Sequence, residues 1–156
     1  MTLSKQQLTT LDCEDYVLWI EGTLEQLRDR NYDQVDWENL LEEIEDMSKR
    51  ERSSLRSNLA MALLHLLKWE FQPELRTGSW AGSITEHRTR ILDILEDSPS
   101  LKNYLPEAIL WAYPRTRRQG KDETGLPLEV LPVACPYAIA DILNDDFLPG
   151  EDENGR

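Results

Sequence analysis

Glu51, Asn58 and His65 stand seven residues apart on one apolar helical pattern, so they stack on a single helix face. A carboxylate, an amide and an imidazole in a row could line a polar pocket or form a structural network. Burying a carboxylate without a partner is costly, so Glu51 needs pairing, protonation or exposure. Arg88, Arg90 and Arg115 are the candidate partners. The expectation is a buried polar network of Glu51, Asn58, His65 and Arg88 that fixes helix register.

His65 and His87 offer a sharper geometry. If two helices form an antiparallel hairpin about Arg76, each histidine lies eleven residues from the bend, at the same height on facing surfaces. Two histidines and a carboxylate can hold a transition metal. Glu51 is about 21 Å along the helix axis from His65 and cannot join, and Glu86 should point away from the core. No metal and no cofactor is therefore assigned, and the histidines read as core-edge residues bonded to polar neighbours. At the tip of the same hairpin, His65, Lys68, Trp69, Gln72 and Trp80 gather with Arg76 in the bend. Indoles beside cations suit cation–π packing, and they also suit an aromatic-lined ligand pocket. The expectation is a tryptophan-stapled loop, with this tip as the place for any ligand or metal-dependent activity.

Two charged runs invite functional readings. Glu42, Glu45 and Asp46 project opposite Ile44 onto a solvated or partner-binding face, with Lys49 and Arg50 at ion-pair spacing, and they lack a pocket for acid–base work. Arg115, Arg117, Arg118 and Lys121 lie near a helix end, where positive charge suits the dipole. There is no glycine-rich phosphate loop, no Gly-x-Ser-x-Gly, no His-Glu-x-x-His and no cysteine pair at metal spacing. No catalytic residue is nominated.

The element that must position most of these groups is a helical pattern running unbroken from Asp36 to Trp69. Trp37, Leu40, Leu41, Ile44, Met47, Leu55, Leu59, Ala62, Leu63, Leu66 and Trp69 recur at three-and-four spacing. A straight helix of that length would span roughly 50 Å, beyond the compass of a compact domain this size, so a bend or break near Ser53-Ser54 is expected. Ahead of it, Asp12 should cap a helix with inner face Cys13, Tyr16, Ile20, Leu24 and Leu27, and Trp19 on its flank, ending near Asn31. After it, Gln72-Pro73 stops the spine. Ser79 should cap a helix with inner face Trp80, Ile84, His87, Ile91, Ile94 and Leu95. Ser98-Pro99 opens a fourth region interrupted by Pro106 and Pro114 and closed by Gly120 and Gly125. A proline-punctuated connector then leads to a short helix, Tyr137 to Leu143. A single α-helical domain over residues 1–149 and a disordered acidic tail over 150–156 are expected.

The 156 residues carry a net charge of −13, unevenly placed. Residues 1–48 hold 3 basic and 13 acidic groups, residues 49–118 hold 12 and 8, and residues 119–156 hold 2 and 9. Such a chain is a poor nucleic-acid binder, because phosphate contacts need clustered Lys and Arg. The polar start and the lack of any apolar run near 20 residues point to no export signal and no membrane span. A cytoplasmic location is expected, with Cys13 and Cys135 as small reduced thiols.

Several short runs also carry a family likeness. Asn39-Leu40-Leu41-Glu42-Glu43-Ile44-Glu45-Asp46-Met47, His65-Leu66-Leu67-Lys68-Trp69, Gln72-Pro73, Ser79-Trp80, Ser98-Pro99-Ser100-Leu101, Thr124-Gly125-Leu126-Pro127 and Cys135-Pro136-Tyr137 fall in one order. Together, from about Asp15 to Pro149, the chain resembles a bacterial family of unknown function, the domain-of-unknown-function family twenty-nine. The resemblance implies an all-α fold built on a helical bundle, with no established activity, cofactor or catalytic residue. His87 departs from the family pattern, where other polar residues are usual. The combined expectation is an all-α bundle of about five helices around one long central helix or helix pair. Its function is expected to be non-catalytic interaction with another protein, with no membrane partner.

Overall fold

The computed structural model describes residues 2–151. Among the described residues there are six α-helices, five of them of seven or more residues, and no strand. The bundle expected from the sequence is therefore present, with a helix more at the N-terminus than the sequence pattern indicated. No helix of the described residues is long and apolar enough to cross a membrane. The chain divides into two compact units, one up to Arg50 and one from Glu51 on. Of the tail expected from Gly150, residues 152–156 lie outside the described residues.

In the first unit, helix α1 (Lys5–Glu14) starts at Ser4 rather than at Asp12. Ser4 and Gln7 form a reciprocal capping box: the Ser4 side chain accepts from the Gln7 amide while Gln7 Oε1 accepts from the Ser4 amide. Asp15 then caps α2 (Tyr16–Arg28), accepting from the Leu18 amide at 3.1 Å. The face of α2 that turns inward is Trp19, Gly22, Thr23 and Gln26. This corrects the expected inner face: Tyr16, Ile20, Leu24 and Cys13 are exposed, while Trp19, expected on the flank, is fully buried. The two faces lie next to each other on the helix, and α1, which the sequence pattern did not reveal, covers the less apolar one. Leu8 of α1, together with Trp19 and Val35, makes the apolar core of this unit. Asp36 stands just ahead of α3 (Trp37–Phe71). Its buried carboxylate accepts from Thr9 Oγ1 (2.8 Å) and Asn39 Nδ2 (2.7 Å), tying the start of α3 to α1.

Helix α3 continues unbroken through Ser53-Ser54 into the second unit, so the expected break there does not occur. From Leu55 on its apolar stripe is covered: Leu55, Leu59, Ala62, Leu63, Leu66 and Leu67 are buried. They meet Ile84, Ile91 and Leu95 of α4 (Gly78–Asp97), and Leu105, Ala108, Ile109 and Ala112 of α5 (Leu105–Thr124). Thr77, not Ser79, caps α4, its side chain accepting from the Trp80 amide. Pro114 lies inside α5 without ending it. Its ring opposes the carbonyl of Leu110, and Leu110 is on the exposed side, where water can satisfy that oxygen. Gly120 does not close α5 either. It is buried within the helix, and Gly125, at φ +71°, is the left-handed cap. The connector folds back on α5, where Tyr113 Oη donates to the Pro132 carbonyl at 2.6 Å and Arg117 bonds the Leu128 and Leu131 carbonyls. The last helix, α6, is shorter than expected (Ile139–Ile142).

Candidate functional site

The predicted polar line does not form one network. Glu51 is exposed and makes no ion pair with Arg88, Arg90 or Arg115; Arg90 pairs instead with Glu86 at 2.6 Å. Asn58 accepts from His87 Nδ1 at 2.9 Å and donates to the Ser54 carbonyl. His65 Nδ1 lies 2.9 Å from the Met61 carbonyl and 3.3 Å from Ser83 Oγ. Both histidines therefore bond polar neighbours at the edge of the core. Arg88 is buried but belongs to another place: it donates to the carbonyls of Asp141, Ile142 and Phe147, capping the end of α6. Burial pushes its pKa down, and Asp145 opposes that. Among the described residues no three His, Cys, Asp or Glu side chains gather as a metal site would require.

The hairpin tip is occupied by its own side chains. Lys68 Nζ lies 4.7 Å from the Trp80 ring centre and 3.1 Å from a Glu123 carboxylate oxygen. Arg76 stacks 5.0 Å from the Trp69 ring centre, and its guanidinium donates to the Trp69 and Pro149 carbonyls. Gln72 Nε2 donates to the Thr124 carbonyl. Cation–π and hydrogen-bond stapling thus engages Lys68, Gln72 and Arg76 within the fold, while Trp69 Nε1 is buried without a hydrogen-bond partner. Two members of the basic run are likewise engaged, Arg115 3.8 Å from the Trp111 ring centre and Arg117 holding the connector, while Arg118 and Lys121 are exposed. Tyr113, Cys135 and Tyr137 lie together beneath that connector. Burial raises all three: the Cys135 thiol above its usual range, Tyr113 to about 12 and Tyr137 further, where hydrogen bonding to Glu70 adds to it. A thiol made harder to ionise is a poor nucleophile.

The feature left without a partner lies in the first unit. On α2, Tyr16, Val17, Ile20 and Leu24 are exposed, and on α3 Trp37, Leu41, Ile44 and Met47 are 43, 58, 54 and 55 % exposed. The two helices run antiparallel: Tyr16, at the start of α2, donates from its hydroxyl to Glu43 at 2.8 Å, and the other end of α2 leads through a turn at Tyr32–Gln34 to Trp37. Glu43 is three residues from Leu40 and four from Met47, its neighbours on the helix surface. The apolar lines of both helices therefore open on one shared side. Glu43 is also held by Arg50 at 2.5 Å, and both Arg50 and Tyr16 keep its carboxyl pKa low.

The sequence pattern contained every residue of this face except Val17 but assigned it to the core. An amphipathic stripe looks the same whether its cover is intramolecular or comes from outside. One signal was available: the flanking acids are dense before residue 47, where the stripe is bare, and give way to basic groups beyond it.

No curated protein and no solved structure matches the chain. The model of a family described as a domain of unknown function, DUF29, matches residues 11–148, so the chain belongs to that family.

Proposed function

We propose that this protein is a non-catalytic, cytoplasmic interaction module that binds another protein through the open face of α2 and the first part of α3. The observation that carries this reading is the exposure of Trp37, Leu41, Ile44 and Met47 on an ordered helix beside exposed Tyr16, Ile20 and Leu24. Exposed apolar groups scattered singly are ordinary, whereas a row shared by two helices marks an interaction surface. The groups best suited to chemistry elsewhere are already bonded within the fold, which supports binding rather than catalysis. The acidic surface argues against nucleic acid as the partner.

The test is a photo-crosslinking amino acid placed at Leu41 and, as an exposed control on the second unit, at Val133. Expressed in the native host, the Leu41 variant should give a discrete protein adduct that the Val133 variant lacks. Equal labelling from both positions, or none from Leu41, would remove the reading.

A further inference from the structure

On the reading that this face binds protein, we propose that its occupant is a basic amphipathic helix of another protein, laid along the open face shared by α2 and α3. The argument is one of charge placed around an apolar seat. Along α2, Glu21 and Glu25 border Val17, Ile20 and Leu24; along α3, Glu38, Glu42 and Glu45 border Trp37, Leu41 and Ile44. Because α2 and α3 are antiparallel, these acids form the two outer edges of the shared face. All five are exposed. Lys49 lies 3.9 Å from Glu45, whereas Glu21, Glu25, Glu38 and Glu42 form no ion pair among the described residues. Three bases border this face: Arg28, at the end of α2, is three residues from Glu25 and four from Leu24, and Lys49 and Arg50 are turned to Glu45, Asp46 and Glu43.

An apolar face between two acidic edges selects its occupant by charge. A second copy of this chain would bring the same edges, and residues 1–50 hold 13 acidic against 5 basic groups, a net −8. An anionic lipid surface would be repelled for the same reason. A helix with apolar residues at three-and-four spacing and Lys or Arg on both flanks satisfies seat and edges together. The seat spans eleven residues of α3 from Trp37 to Met47, or about 15 Å, so roughly three turns of such a helix fill it.

The experiment uses the full chain and two synthetic helical peptides of about 14 residues, roughly four turns, with the same leucine spacing. One carries lysines on its flanks, the other glutamates. Fluorescence anisotropy should show the lysine peptide binding, more weakly as salt rises, and the glutamate peptide not binding. Ile44→Asp should weaken the lysine peptide by about tenfold or more although it adds a negative charge, which nonspecific attraction would reward. Glu42→Lys should weaken it as well, and Leu110→Asp, at another exposed leucine, should leave it unchanged. Circular dichroism checks that each variant is folded. Failure of the lysine peptide to bind, equal binding of both peptides, undiminished binding to Ile44→Asp, or a dimer in sedimentation that Ile44→Asp abolishes would each overturn the proposal. A Leu41 crosslink to another protein that persists when the lysine peptide fails leaves the binding face standing and sinks only its basic occupant.

Discussion

His87 meets Asn58 in a half-buried position where its charged form is disfavoured, first by burial and then by Arg90 and His65, with Glu86 opposing. Its pKa in the folded protein is therefore below the ordinary value of about 6.5. A depressed pKa means that the unfolded chain takes up the proton more readily, so stability is full above the ordinary value and declines as pH falls through it. Urea unfolding from pH 7 to 5 should show that decline, and His87→Gln should flatten it. Arg88 acts without a titration. Its guanidinium satisfies three carbonyls at the end of α6 and beyond it, and these lose their donors together in Arg88→Met. A buried group stripped of its partner costs about 1–3 kcal/mol. Arg88→Met should thus lower stability by about 3 kcal/mol, read from the urea midpoint, and should expose residues 139–149 to protease before the rest.

At the level of elements, α3 carries one stripe with two fates. Leu63 is fully buried and Ile44 faces water, so the same truncation to alanine should differ sharply. Leu63→Ala is expected to cost about 2–5 kcal/mol, whereas Ile44→Ala should stay within about 0.5 kcal/mol, both by chemical denaturation. Helix α5 supplies a prediction of opposite sign. A Cβ on Gly120 would stand 3.5 Å from Leu131 and 3.7 Å from Leu64, ordinary packing distances, in a helix interior where glycine is unfavourable. Gly120→Ala should raise stability by about 0.5–1 kcal/mol in the same assay. These elements also show what the sequence made legible. The three-and-four spacing of Leu55 to Leu66, the stop at Gln72-Pro73 and the closing glycine at 125 are local signals, and each fell where the residues indicated. The inner face of α2 was not legible, because it depends on α1, whose Ser4–Gln7 cap precedes a weakly apolar run. The network drawn through Glu51 and Arg88 failed for a related reason: a shared helix face places residues in line, but what packs against that line decides which of them are buried. The open face, Val17 apart, was written in the pattern yet read as core, since periodicity records amphipathicity and not the source of the cover.

Over the whole molecule, the two compact units differ in what holds them. Seventeen buried side chains make one apolar cluster in the second unit, while the fully buried apolar residues of the first are Leu8, Trp19 and Val35. Three polar atoms in that smaller core, Trp19 Nε1, Thr23 Oγ1 and Gln26 Oε1, are buried without a hydrogen-bond partner, although Gln26 Nε2 donates to the Leu3 carbonyl. Each such atom forfeits the water it would meet in the unfolded chain. Cooperative opening follows local burial, so regions with few buried apolar groups open at lower free energy than the global transition. Native-state hydrogen exchange should therefore find the amides of α1 and α2 opening well below those of α4, α5 and residues 55–67 of α3, with residues 41–54 of α3, exposed over most of their circumference, among the weakest. A partner that covers the open face would add apolar contact where the first unit has least, so it should slow exchange in α2 and in residues 37–47 of α3 and leave α4 and α5 unchanged. Uniform protection along α3 without a partner would mean that the first unit is as firmly held as the second, and that its open face has no missing cover to supply.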